Sequence, residues 1–180
     1  MFYETKIEDV VRIPPKELGE NEIENIKNIL ISSYIGLVRK DIGIIIAIKD
    51  IEKVDLGVVI PEDGGVYYKV IFRAYTYKPE INELTYGIVS GIADFGVFLN
   101  IGPIDGLVHI SQIMDDEVSI SGKEALIGKK TKKVLKVGDI VKARIITVSY
   151  KDITNIKVSL TMKQPGLGKI EWLEEKDKKK

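Results

Sequence analysis

The stretch YGIVSGIADFGVFLNIGPIDGLVHIS, residues 86–111, decides the fold. It alternates β-branched and aromatic residues with single glycines and carries the turn cluster Gly102-Pro103-Ile104-Asp105-Gly106. That pattern predicts a strand, a bend, a strand, a turn and a strand. Phe95, Phe98 and His109 bring three flat side chains close to glycines that cannot cover them. Aromatic surface beside bare backbone is a surface on which nucleobases stack. Phe95 and Phe98 are three residues apart, so an unbroken strand would aim them at opposite faces. Gly96 is therefore expected to mark a bend or bulge that lets both reach one side; the alternative puts Phe95 in the core.

Toward the carboxy terminus, apolar alternation returns at Ile140 to Tyr150 and Ile156 to Met162. With Glu83 to Gly91, Val97 to Ile101 and Gly106 to Ile110 these make five strands, with a long link, 111–138, between the third and fourth. Five strands so spaced outline an all-β OB-fold barrel over residues 82–163. In the tail, 164–180, Ile170, Trp172 and Leu173 can dock a short helix, and Lys176 to Lys180 are expected to be disordered.

Toward the amino terminus the pattern is mixed. Residues 1–13 read as a strand ended by Pro14-Pro15, because proline donates no ladder hydrogen bond. Lys16 to Gly19 read as one helical turn. Asn21 with Glu24 three residues later forms a capping-box signature, and Ile23, Ile26, Leu30 and Tyr34 follow at helical spacing up to Gly36. Gly43 to Ile60 reads as a long strand, a break near Asp55 to Gly57 and a short strand. Pro61-Glu62-Asp63-Gly64-Gly65 is a turn, and Val66 to Tyr77 is a strand apolar on both parities, covered on both faces or applied to a partner. Residues 1–81 thus predict an α+β domain, a helix packed on an antiparallel sheet.

Composition narrows the function. The 180 residues contain no cysteine and one histidine, which excludes disulfides, thiolate chemistry and a histidine metal cluster and argues against a Ser-His-Asp triad. No phosphate-cradling glycine loop is present, and no cofactor is implied. Asp115-Asp116-Glu117 is a carboxylate cluster better read as solvated loop than as a metal site. The amino terminus has no secretory signal pattern and no apolar run is of membrane-spanning length, so a soluble cytoplasmic protein is expected. The net charge of zero hides an asymmetry: residues 1–82 carry 11 basic and 14 acidic side chains, the remainder 16 and 13. Lys129, Lys130, Lys132, Lys133, Lys136, Lys142 and Arg144 are opposed only by Asp139 in their stretch. They form either a polyanion-attracting surface or a solvated loop. Binding rather than catalysis is the expected role.

The combination of DFGVF, GLVHIS, VGD and SLTMK resembles the S-one RNA-binding domain, an OB-fold barrel, over Glu83 to Lys163. Taken with MFYETKIEDVVRIPP and GVVIPEDGGVYYKVIFRAYTYKP, the whole chain resembles the E-prime stalk subunit family of archaeal RNA polymerase, whose eukaryotic relative is the seventh subunit of RNA polymerase II. The resemblance implies a non-catalytic stalk subunit. It would pair with the small F subunit, dock on the polymerase core by an amino-terminal tip domain, and offer its barrel to emerging single-stranded RNA, aiding promoter opening and processivity.

Carried onto this sequence, the family's RNA-binding face falls on Phe95, Phe98 and His109, and Lys142, Arg144 and Lys157 could add phosphate attraction. The sequence departs from tightly binding S-one domains after Val148, where Ser149 stands in place of an acidic residue. It departs again in the fifth strand, which offers Asn155 and Lys157 instead of an arginine. For the tip domain the resemblance implies polymerase contacts at Pro14, Pro15 and Lys16 and at Pro61, Glu62, Asp63, Gly64 and Gly65. The alternative is a free-standing S-one RNA-binding factor of translation or RNA decay.

Overall fold

Alternation of apolar and charged residues in the first 13 positions gives a strand that buries one face only. In the computed structural model, which describes residues 1–19, 21–121, 125–150 and 155–177, this is β1 (Phe2–Ile13), with Ile7, Val11 and Ile13 turned inward. The chain forms two compact units, one built on Met1–Lys78 and the other on the residues from Pro79 onward.

The first unit continues with α1 (Glu22–Tyr34), β2 (Val38–Arg39), β3 (Gly43–Val54), β4 (Val58–Val59) and β5 (Val66–Tyr77). All pairings are antiparallel, in the order β1-β5-β3-β2, with β4 beside the start of β5. Helix α1 buries Ile26 and Leu30 completely in a core with Ile45 of β3 and Tyr68, Val70, Phe72 and Ala74 of β5. Each such aliphatic side chain is worth about 1.5–3 kcal/mol of burial. Tyr34 ends the helix edge-on to Phe72, with ring centroids 5.2 Å apart, and donates its hydroxyl to Asp9 Oδ2 at 2.7 Å.

Two local expectations are corrected. The capping box does not form: Asn21 makes no side-chain cap bond, and Asn25 instead donates through Nδ2 to the Glu17 carbonyl at 2.6 Å. The turn at Lys16 to Gly19 starts one residue earlier, as a 3-10 turn at Pro15–Glu17. Within the chain, among the described residues, no second layer packs on the other face of β5, where Lys69 and Tyr75 are exposed. This face is half-covered by an ion network in which Arg73 holds Asp50, Glu4 and Glu52 while Lys49 bridges to Glu4. Isolated exposed pairs contribute little, but a shared network shields the apolar stems beneath it.

One clamp shapes the 61–65 turn. Arg12 donates from Nε to Asp63 Oδ2 at 2.9 Å and from Nη2 to Oδ1, Tyr67 adds its hydroxyl, and the Gly65 amide donates to Oδ1 at 3.2 Å. The Arg12 guanidinium first, then Tyr67 and the Gly65 amide, hold the Asp63 carboxyl far below the usual carboxylate range.

The second unit contains β6 (Leu84–Ala93), β7 (Gly96–Asn100), β8 (Asp105–His109), β9 (Val118–Ser121), β10 (Ala125–Gly128), β11 (Val134–Lys136), β12 (Ile140–Ser149), β13 (Lys157–Thr161), β14 (Gly168–Lys169) and α2 (Ile170–Asp177). Strands β6, β7, β8, β13 and β12 form the barrel, closed where β13 pairs with β12. Period-two alternation sends Val89, Val97, Leu99, Val108, Val141, Ala143, Ile145, Val158 and Leu160 inside, all buried. The 111–138 connection, expected as a loop, instead carries a three-stranded antiparallel sheet, β11-β10-β9. Short apolar runs around Leu126 and Leu135, both fully buried, supply its inward face. Helix α2 seats Trp172 as expected and its backbone extends to Asp177; the rest of the tail expected to be disordered, 178–180, lies outside the described residues. Among the described residues no helix is long and apolar enough to cross a membrane.

Two outcomes follow from this packing. Phe72→Ala should lose about 3–5 kcal/mol of stability by the cavity it leaves, read as a lowered urea midpoint. Asp63, with its depressed carboxyl, contributes stability that is present above the ordinary aspartate value near pH ~3.9 and fades only as pH falls through the lower folded value. An NMR titration should find this carboxylate still ionised well below that pH, and an ordinary midpoint would refute the clamp.

Candidate functional site

Phe95 is placed by a turn rather than by a strand. Strands β6 and β7 pair up to Ala93 and Gly96, leaving Asp94 and Phe95 as the two turn residues. The Ile110 amide donates to the Phe95 carbonyl at 3.0 Å and fixes that turn against the end of β8. Phe95 escapes strand parity by lying outside the ladder and not through the expected bulge at Gly96; the irregularity in this hairpin falls at Val89/Gly91 of β6. Phe95 is 52% exposed and Phe98 38%, with centroids 5.9 Å apart and planes perpendicular. The core alternative for Phe95 is thereby excluded.

His109 stands opposite Gly96 in the β7–β8 register, and Leu107 opposite Phe98. The absent side chain at Gly96 leaves open the surface between Phe98 and the imidazole. Nothing larger fits there, because an added methyl would overlap the Val108 carbonyl oxygen. His109 Nδ1 accepts the Ser111 amide at 3.3 Å and lies 2.9 Å from Ser111 Oγ. With Nδ1 accepting the amide, the ring proton sits on Nε2 and that N–H is available as a donor.

The outward rows of the barrel place the remaining predicted residues. Ser159 of β13 pairs with Leu107, and Thr147 of β12 with Ser159, so the Phe98 row continues across β8 and β13. Arg144 pairs with Thr161 in the adjacent row and Lys157 with Ser149 in the row on the other side, so both flank this surface. Lys142 is set apart. It pairs with Tyr86 and Gly168, with Nζ 5.9 Å from the Tyr86 ring centroid. A groove of about 510 Å³ runs beside His109, lined by Leu107, Gln112, Ile146, Ser159, Thr161 and Lys163 among others. Sequence reasoning missed it. Its only signal was the outward parity of Leu107 and Ser159, which acquires meaning once β13 is known to lie parallel to β8.

The predicted docking segments converge. Pro14, Pro15 and Lys16 enter the 3-10 turn, where the Glu17 amide donates to the Pro14 carbonyl at 3.0 Å. Pro61, Glu62, Asp63, Gly64 and Gly65 form the clamped turn, and a methyl added at Gly64 would lie 3.2 Å from Pro15 Cγ. Beside them stands an apolar ridge: Val58, Val59 and Ile60, within the Gly57 to Gly65 loop for which the resemblance implied polymerase contacts, are exposed, and Leu56, just outside it, is 92% exposed. The Asp115-Asp116-Glu117 cluster is dispersed, with Asp115 paired to Lys163, Glu117 to Lys129, and Asp116 turned onto the β10–β11 turn.

Comparison with known proteins assigns both halves. A model described as "S1 RNA binding domain" matches residues 78–160, and one described as "SHS2 domain found in N terminus of Rpb7p/Rpc25p/MJ0397" matches residues 8–64. The "DNA-directed RNA polymerase subunit Rpo7" of Sulfolobus acidocaldarius is 42% identical over 96% of this chain and 95% of its own length. The subunit of the same name from Saccharolobus solfataricus is 39% identical over 96% and 97%. The "DNA-directed RNA polymerase III subunit RPC8" of Saccharomyces cerevisiae is 32% identical over 63% of this chain and 54% of its own length. The chain belongs to the Rpo7 family of DNA-directed RNA polymerase subunits.

Proposed function

We propose that this chain is the stalk subunit of its polymerase, paired with the small F subunit and docked on the core through its first unit. Its barrel guides emerging single-stranded RNA, aids promoter opening and processivity, and contributes no catalytic residue. The observation that carries the RNA assignment is the exposed Phe95–Phe98 edge pair, separated from the His109 imidazole only by bare backbone at Gly96. Bases stacked on such rings gain about 1–3 kcal/mol each with little regard to identity, which suits a guide that must accept every transcript. Arg144 and Lys157 stand in the rows beside the one that continues Phe98 across β8 and β13, and they supply phosphate attraction.

The docking assignment is supported by the convergence of the Pro15 turn and the 61–65 turn beside the Leu56–Ile60 ridge. Large aliphatic side chains held at high exposure on a clamped hairpin are costly in water and favourable when buried by a partner. Attachment to a large complex also removes the need for high RNA affinity, because tethering raises the local concentration.

Phe95→Ala/Phe98→Ala/His109→Ala should weaken binding of an oligouridine at least tenfold in a gel shift while leaving copurification with polymerase intact. Leu56→Asp/Val58→Asp should do the reverse. Loss of both functions in either variant would refute the division of labour. A pull-down should recover a small helical partner and the large polymerase subunits; recovery of ribosomal or RNA-decay proteins alone would favour a free-standing factor.

A further inference from the structure

The β10–β11 turn is a strongly charged surface outside the aromatic face. Residues 125–136, ALIGKKTKKVLK, contain five lysines and no carboxylate. Folding leaves most of that charge uncompensated, because the neighbouring acids are engaged elsewhere. Asp116 accepts the Lys130 and Thr131 amides, at 3.0 and 2.7 Å, and the Thr131 hydroxyl at 2.9 Å. These Thr131 and Lys130 donors hold its carboxyl below the usual range. Glu117 is paired with Lys129, Asp115 with Lys163, and both Asp139 and Glu171 with the half-buried Lys169. Among the described residues the ammonium groups of Lys130, Lys132 and Lys136 have no ion-pair partner, and all three are exposed. Lys133 leans over the buried Trp172 with Nζ 5.3 Å from the ring centroid, which orients it while leaving its charge intact. Lys132, Lys133 and Lys136 line one side of a polar groove of about 540 Å³.

The turn is held rather than loose. The Asp116 bonds close it from beneath, the Gly128 amide donates to the Lys133 carbonyl at 2.9 Å, and Lys132 takes a positive φ of 56°. Asp116 follows His109 by seven residues, so the anchor lies within about 25 Å of the imidazole along even a fully extended chain. A strand of the length that one OB barrel accommodates, roughly 4–16 nucleotides, can reach from one to the other.

We propose that this turn is a second contact for the phosphodiester backbone of the single-stranded nucleic acid that the barrel binds. It rests on the reading of Phe95, Phe98 and His109 as the base-stacking face. The turn takes phosphates without reading sequence. With no ring exposed beside it, Trp172 being buried, it holds the strand by charge alone, and its contribution is therefore salt-dependent.

The test is fluorescence anisotropy of the full chain with oligouridine and oligothymidine over a range of potassium chloride concentrations. Lys130→Gln/Lys132→Gln/Lys136→Gln removes three charges that have no ion-pair partner among the described residues, and unchanged thermal melting would verify that the fold does not need them. Its slope of log affinity against log salt should be shallower than that of the unsubstituted chain by roughly 2, at about 0.7 per phosphate contact on a single strand. Phe95→Ala/Phe98→Ala should lower affinity with the slope intact. A lysine variant with unchanged slope and affinity, beside an aromatic variant that binds poorly, overturns the turn and spares the stacking face. The opposite pattern overturns the stacking face and spares the turn. Polyglutamate that displaces the oligonucleotide as well as an oligonucleotide of equal charge does would mark the turn as a site for acidic protein and overturn the nucleic-acid assignment.

Discussion

The pairing of Gly96 with His109 is the constraint on which the candidate RNA surface depends. Strands β7 and β8 approach so closely there that a side chain at Gly96 would meet the Val108 carbonyl oxygen. The approach keeps the barrel wall continuous between Val97 and Val108, both fully buried, while clearing the outer surface between Phe98 and His109. Packing inside and access outside thus come from one missing side chain. The Ile110 amide on the Phe95 carbonyl extends the same joint to the turn, so the exposed ring is carried by anchored backbone.

The first unit solves a related problem with charge. A hairpin that exposes Leu56, Val58, Val59 and Ile60 would collapse or waver if nothing held its base. Arg12, Tyr67 and the Gly65 amide converge on the Asp63 carboxylate and fix the turn next to the Pro15 bend. Bidentate geometry makes this pair more specific than an ordinary surface ion pair. The ridge is therefore presented in a set shape, which would lower the ordering cost of the proposed docking.

Carboxylates perform the same kind of service in the second unit. Asp116 uses its oxygens on amides and a hydroxyl of the β10–β11 turn, and Asp139 accepts the Lys136 amide at 2.8 Å as well as Lys169. Asp116 shapes backbone instead of cancelling the lysines around it, and Asp139 spends its charge on Lys169 and not on the lysines of the turn. A chain of zero net charge thereby displays a local cationic surface.

Much of the architecture was legible in order and spacing. The run from Val66 to Tyr77 is a strand over those same residues, and the five barrel strands lie where their alternation and bounding turns predicted. Helix α1 was legible as well, though its cap was not, since Asn21 and Glu24 form a capping signature only if the chain enters at the right angle, and Asn25 takes the local carbonyl instead. The 111–138 sheet escaped notice because its strands are three or four residues long, too short for period-two alternation to separate them from loop. By itself the sequence determined the fold class, the aromatic trio and the cationic stretch, because each is written in local pattern and composition. Only the tertiary structure decided that Phe95 sits in a turn, that Arg144 and Lys157 stand in the rows beside the one that continues Phe98 across β8 and β13 while Lys142 is set apart, and which lysines remain uncompensated. Those outcomes depend on strand register and on hydrogen bonds between residues far apart in the chain, which spacing along it does not encode.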